Sequence, residues 1–230
     1  MTPARKSVAS ARGAKLKEAG GKFLQAAHEE AAMAWDASPI STARLSAELW
    51  NQIKGEEWTL TSEVNFLSNW PYRLWSMEKH YNSMGGSVGG GVGYNGPAAL
   101  GAALANKRNG RVTVSLNGDG DLMMSPGVLW TAAHHKIPIL YVVHNNRAWH
   151  QEYMHVQRMA QRNQRGIDRA HIGTTMDNPN IDFAMLAKSM GVYSQGPISN
   201  PADVGPAIQR AIAVVKKGEP ALIDIVSQPR

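Results

Sequence analysis

The stretch "NGDGDLMMSPGVLWTAAHHKIPILYVVHNN", residues 117–146, holds two small polar clusters, Gly118-Asp119-Gly120 and Asn145-Asn146, with 24 residues between them. "RVTVSLN" (111–117) leads into the first cluster and "IPILYVVH" (137–144) into the second. Both read as buried strands, and residues 124–135 between them read as a helix. A strand-helix-strand unit of this kind is right-handed, and its two parallel strands can be neighbours. Their C-terminal ends then open on one edge of the sheet, where ligands bind in such folds. The Asp119 carboxylate and the Asn146 amide oxygen would meet there. Both are hard oxygen donors suited to Mg²⁺ or Ca²⁺. Two ligands are too few for an octahedral ion, and Mg²⁺ commonly completes its shell with water and substrate phosphates. The pattern therefore asks for a diphosphate. Gly118 and Gly120 let backbone N–H groups approach it, and a helix starting near 124 would direct its positive end the same way.

Outward from this unit the rhythm continues. "WTLTSE" (58–63) and "PALIDIVSQ" (220–228) read as strands. "PAALGAALANKR" follows the glycine cluster "GGSVGGGVGYNG" (85–96) as a helix with Pro97 in its first turn. Residues 149–163 form a polar helix, "DFAMLAKSMG" (182–191) a helix stopped by glycine, and residues 201–218 another. Strands alternating with helices predict an α/β fold: a doubly wound, mostly parallel sheet with helices on both faces. Ahead of it, Ala-rich residues 10–37 read as a helix interrupted at Gly20-Gly21 and ended at Ser38-Pro39. Ser41 or Thr42 caps the next helix. The expected division is a basic helical arm, 1–38, and one domain, 39–230.

The chain has 230 residues, a net charge of +6 and no cysteine. Disulfides, thiolate metal sites and a Cys nucleophile are thereby excluded. Residues 1–22 hold Arg5, Lys6, Arg12, Lys15, Lys17 and Lys22 against Glu18 alone, so five of the six net charges sit in those first 22 residues. The near-neutral remainder after residue 22 argues against nucleic acid as partner, and a solvated or partner-facing helix is the simpler reading of the basic segment. No apolar run is long enough for a membrane span, and no signal peptide opens the chain. A cytoplasmic location is expected.

Other motifs lack their context. Gly91 to Gly96 satisfies G-x-G-x-x-G, but no buried strand precedes it, which leaves a Rossmann-type nucleotide binder as a weaker alternative. His134, His135 and His144 have no ligand partner at helical spacing and read as surface or strand-edge histidines.

GDG, a spacer in the mid-twenties and NN together resemble the signature of thiamine-diphosphate (ThDP) enzymes. "GGGVGYNGPAALGAALA", "NIDFAMLAKSMGV" and "EPALIDIVSQPR" resemble the segments around that signature in acetolactate synthase-like members. The resemblance covers 39–230 and corresponds to the pyrophosphate-binding (PP) domain. It implies the ThDP-binding fold, with ThDP and Mg²⁺ as cofactors. Asp119, the Asn146 side chain and the Ala148 carbonyl would bind the metal. Gly118, Gly120 and Asp121 would meet the diphosphate, Asn65 would lie near its terminal phosphate, and Val92 would prop the bent cofactor. Trp149 would stand beside it, and Glu152 and His150 would be the catalytic candidates, with His155 nearby.

The resemblance further implies an enzyme, a lyase or transferase that makes or breaks a C–C bond next to a carbonyl. A 2-oxo acid decarboxylase, a carboligase and a 2-hydroxyacyl-CoA lyase all fit, acting on a 2-oxo acid, aldehyde or acyl-CoA. Such enzymes pair the PP domain with a pyrimidine-binding (PYR) domain, for which this chain has no room. The expectation is a split enzyme with a PYR-domain partner subunit, as a hetero-oligomer such as a dimer of heterodimers. A non-catalytic ThDP-binding or stabilising subunit is the alternative.

Overall fold

A computed structural model describes residues 1–63, 67–87 and 91–229. Among these, five parallel strands form one sheet: β1 (Trp58–Thr61), β2 (Val112–Gly118), β3 (Leu140–Asn145), β4 (Tyr193–Ile198) and β5 (Ala221–Val226), in the order β1-β2-β3-β5-β4. The helices are α1 (Pro3–Ala31), α2 (Thr42–Ile53), α3 (Trp70–Leu74), α4 (Asn95–Asn106), α5 (Asp119–Met123), α6 (Val128–His134), α7 (His150–Arg162), α8 (Phe183–Ser189) and α9 (Val204–Val215).

Every residue of β3 and β5 is buried, as strands covered on both faces require. Alternate side chains serve two cores. Leu140, Val142, Ile223 and Ile225 pack with Leu45, Leu49 and Ile53 of α2 and Ile208 and Ile212 of α9. Tyr141, Val143 and Leu222 pack on the other face with Ala99 and Ala103 of α4, Leu129 of α6 and Phe183 and Ala187 of α8. The predicted α/β sheet with helices on both faces is therefore the observed architecture.

Several boundaries differ from expectation. The first helix starts at Pro3, capped by the Thr2 side chain, and runs through Gly20-Gly21 without a break. A glycine costs only about 1 kcal/mol in a helix, which the flanking Ala, Leu and Lys residues absorb. It ends at Ala31, earlier than Ser38, and of its residues only Ala27 and Ala31 are buried. Ser41 caps α2 as expected, accepting the Arg44 N–H at 3.1 Å. Within the helix expected over 124–135 only α6 forms, starting at Val128 after Pro126 and Gly127, while the short α5 precedes that range and ends at Met123. The strand β4 was not expected. Its sequence, Tyr-Ser-Gln-Gly-Pro-Ile, lacks an apolar run. It lies at the sheet edge, where a proline costs no ladder bond, and its pairing to β5 shifts register between Gln195 and Ile198. Among the described residues no helix is long and apolar enough to cross a membrane.

Candidate cofactor site

The strands β2 and β3 are direct neighbours, with Gly118 opposite His144. Both exits therefore lie on one edge. After β2 the chain enters α5 at once, with Asp119 as its first residue, so the helix end expected near 124 stands five residues earlier. After β3 it turns at Arg147, which takes the left-handed conformation (φ 59°) unusual for a residue with a side chain. The turn is held from outside: the Met176 N–H donates to the Arg147 carbonyl at 2.7 Å and the Trp149 N–H to the Thr174 carbonyl at 2.8 Å.

Asp119 is 2 % exposed. Its Oδ1 accepts the Gly120 N–H at 2.9 Å, and the N–H groups of Arg147 and Ala148 are directed toward the carboxylate. Its Oδ2 is buried with no partner. Burial pushes the carboxyl up to about 6, against the pull of those N–H groups. A buried carboxylate oxygen without a donor costs free energy unless a cation or donor meets it. The Asn146 side chain stands across the exit, its Oδ1 accepting the Ala148 N–H at 3.0 Å. Among the described residues no group of three His, Cys, Asp or Glu could hold a metal. The available donors are a carboxylate, an amide oxygen and a backbone carbonyl, a set that fits a hard ion such as Mg²⁺ completed by phosphate oxygens.

The cleft at this edge is lined by Gly118, Asp119, Gly120 and Asp121 from the first exit and Asn146, Ala148 and Trp149 from the second. Val92 enters from the glycine-rich segment, and His150 and Glu152 from the first turn of α7. Every residue named from the sequence for this site and described in the structure, His155 excepted, thus lies on one cleft. Asn65 lies outside the described residues. His155 is exposed and off the cleft wall.

Two glycines are required by close approach. A Cβ on Gly120 would sit 2.8 Å from Cε3 and Cζ3 of the Trp149 ring. A Cβ on Gly93 (φ 91°) would sit 2.6 Å from Cβ of Met124. The Gly93 N–H donates to the Asp121 carboxylate, which also receives Asn95. Asp121 was expected to offer its backbone to a diphosphate; its side chain also ties the glycine-rich segment to the GDG turn. Burial raises its carboxyl above the ordinary range. Gly120→Ala should overpack this contact and cost about 1–3 kcal/mol; thermal melts of the purified variant measure it, and an unchanged Tm would show that Trp149 moves aside freely.

His144 departs from the surface or strand-edge reading. It is 3 % exposed, hydrogen-bonds Ser227 Oγ through Nδ1, and lines the cleft. Burial first, and then the nearby charge of His150, bring its pKa down to about 4. His134 and His135 are exposed as expected, His134 stacking on Trp130. Asp224 in β5 is a buried carboxylate with a structural duty: it accepts from Asn145 Nδ2 at 3.0 Å and the Phe183 N–H at 3.1 Å. Asn145, the first of the paired amides, is therefore spent on the sheet, and Asn146 is the one left for the cleft.

Residues 66–225 match the family model of the thiamine pyrophosphate enzyme C-terminal TPP-binding domain. The chain belongs to that family. It is 28 % identical over 204 residues to a "Probable acetolactate synthase large subunit" of Methanocaldococcus jannaschii, covering 86 % of this chain and 32 % of that one. It is 28 % identical over 139 residues to benzoylformate decarboxylase of Pseudomonas aeruginosa, 60 % of this chain and 24 % of that one. Among solved structures it resembles a ThDP-dependent 4-hydroxybenzoylformate decarboxylase of Rhodococcus jostii, with a TM-score of 0.71 and 24 % identity over 84 % of this chain and 34 % of that one. That likeness shows the shared fold. The chain spans about a quarter to a third of the length of the relatives it matches. The Rossmann reading falls with the family match, and the G-x-G-x-x-G segment is the one tied to Asp121.

Proposed function

We propose that this chain is the PP-domain subunit of a ThDP- and Mg²⁺-dependent enzyme that makes or breaks a C–C bond next to a carbonyl. Residues 39–230 are the domain and residues 1–38 its arm. The observation that carries the reading is the buried, partnerless Asp119 oxygen facing Asn146 across the exits of two adjacent strands, in a chain of this family. Asp119, Asn146 and the Ala148 carbonyl would hold the ion. Backbone groups of Gly118, Gly120 and Asp121 would meet the diphosphate, with Trp149 closing over Gly120 and Val92 supporting the cofactor from the glycine-rich segment. Bound there, ThDP supplies an electron sink for the carbanion formed when the C–C bond breaks. The protein binds it, orients it and limits water.

Glu152 and His150, on the cleft wall, are the candidates for moving protons between substrate and solvent. The substrate is a 2-oxo acid, an aldehyde or a 2-hydroxyacyl thioester. A PYR-domain partner subunit completes the site. Support for this comes from two exposed apolar side chains, Val92 on the cleft wall and Met124 beside Gly93, which this chain leaves uncovered. The basic arm, exposed along nearly all its length, is offered to the same partner.

The first test is binding. Saturating ThDP with MgCl₂ should raise the Tm of the isolated chain by about 5–10 °C, as ligand at roughly 100 times its Kd adds about 2.7 kcal/mol. ThDP with EDTA, or NAD, should leave it unchanged. Equal shifts with and without Mg²⁺ would remove the ion from the reading.

A further inference from the structure

The sequence around the second exit, Val-Val-His-Asn-Asn, places a histidine two residues before the proposed ion ligand Asn146. Strand alternation turns His144 to the same side as Val142. Its ring joins two segments that are remote in sequence. Nδ1 meets the Oγ of Ser227, just beyond β5, and Nε2 meets Nδ2 of Asn146 at 3.4 Å. Ser227 is itself fixed, because its N–H donates to the Asn145 carbonyl at 3.0 Å.

The donor and acceptor roles in this chain follow from chemistry. A backbone N–H only donates, so the Ala148 N–H marks the accepting end of the Asn146 amide as Oδ1. The other end, Nδ2, only donates, so Nε2 of His144 must accept. A neutral imidazole carries one proton, which then sits on Nδ1 and is donated to Ser227 Oγ. The amide oxygen has two lone pairs. One takes the Ala148 N–H, and the other is left for a ligand in the cleft. A ring with its proton on Nε2 would repel Nδ2 and favour the amide turned over, presenting N–H groups where a cation has to bind.

We propose that His144, held by Ser227 with its proton on Nδ1, is a positioning residue that aims the Asn146 amide oxygen at the divalent ion. This rests on the ion site proposed above. Partners of this kind behind a ligand typically change metal affinity by about 10- to 100-fold when removed.

The experiment uses the whole chain and three variants, His144→Leu, His144→Gln and Ser227→Ala. Glutamine can place a carbonyl oxygen near the position of Nε2 and so restores an acceptor for Nδ2; leucine cannot. The Mg²⁺ concentration giving half-maximal ThDP-dependent thermal stabilisation is read for each, alongside the Tm without cofactor. The expected result is a 10- to 100-fold higher Mg²⁺ requirement for leucine and recovery to within about threefold for glutamine, a pattern that a packing role alone would not give. Ser227→Ala should fall between them.

Long-range ¹H–¹⁵N spectra of the cofactor-free chain should show His144 with Nδ1 protonated and Nε2 bare. A proton on Nε2 overturns the proposal, as does an equal Mg²⁺ requirement for the leucine and glutamine variants. If His144→Leu matches wild type, the positioning role fails while the ion site stands. If wild type itself shows no Mg²⁺-dependent stabilisation, the ion site fails first and the proposal with it.

Discussion

Asp119→Asn should abolish Mg²⁺-dependent ThDP binding and, without cofactor at neutral pH, make the chain more stable than wild type. The two effects have one cause. Asp119 is almost fully buried with one oxygen unpartnered, so its charge burdens the fold unless a ligand meets it. The amide keeps the volume and can still accept the Gly120 N–H, but it brings no negative charge to a hard cation. Binding should weaken at least about 100-fold, because Mg²⁺ sites of this type depend on one or two carboxylates. The stability effect has a definite sign. The folded-state pKa, about 6, lies above the reference value of 3.8. Folding therefore favours the protonated acid. That contribution is fully present below about pH 3.8 and is lost as pH rises through about 6. Above that, the ionised side chain burdens the fold by roughly 3 kcal/mol. The asparagine never carries this burden, although its own buried N–H₂ gives part of the gain back. The Tm difference between variant and wild type should be near zero at pH 4 and reach about 3–6 °C at pH 7.5, as 1–2 kcal/mol does in a domain of this size. Comparing the two proteins at each pH cancels the other titrating groups, including Asp224 and His144. A variant less stable at every pH would mean that Asp119 belongs to the scaffold.

This site was readable in the sequence because its determinants are local and lie at the backbone level. An acid between glycines at one strand end and paired amides at the next need only the handedness of a β-α-β unit to meet. What escaped the reading depends on contacts between distant segments. His144 looks like a strand-edge histidine until Ser227, 83 residues away, is brought beside its ring. The Asp121 side chain acquires its duty from Gly93, 28 residues earlier, across the α4 segment. Which of the two amides is free for the cleft is decided by Asp224, which draws Asn145 into the sheet. The strand β4 escaped for another reason: an edge strand with Gly196-Pro197 carries little of the apolar pattern that betrays a buried one. The later start of α6, at Val128 and not at 124, follows from Pro126, which interrupts a helix unless it stands in the first turn.

The second large effect concerns turnover. Of the acids in or near the cleft, Asp119 is proposed for the ion, Asp121 holds the glycine-rich segment and Asp224 holds Asn145 and the start of α8. Glu152 differs: it is exposed on the cleft wall, in the first turn of α7, and makes no hydrogen bond or ion pair among the described residues. Its carboxylate is thus available to exchange protons with a bound substrate and with solvent. Glutamine keeps its size and polarity but can neither take nor give a proton. Positioned proton transfer is worth about 10²- to 10⁴-fold, so under the proposed function Glu152→Gln, in a complex with the proposed partner, should lower kcat on the proposed 2-oxo acid substrate by that factor. The Mg²⁺-dependent ThDP affinity should stay within about threefold of wild type, because the contacts proposed for the ion and diphosphate are on the two strand exits and not on α7. Equal losses of cofactor affinity and turnover would instead make Glu152 a support for the cofactor, and an unchanged kcat would shift the proton transfer to His150 or to the partner, to be separated by His150→Gln under the same conditions.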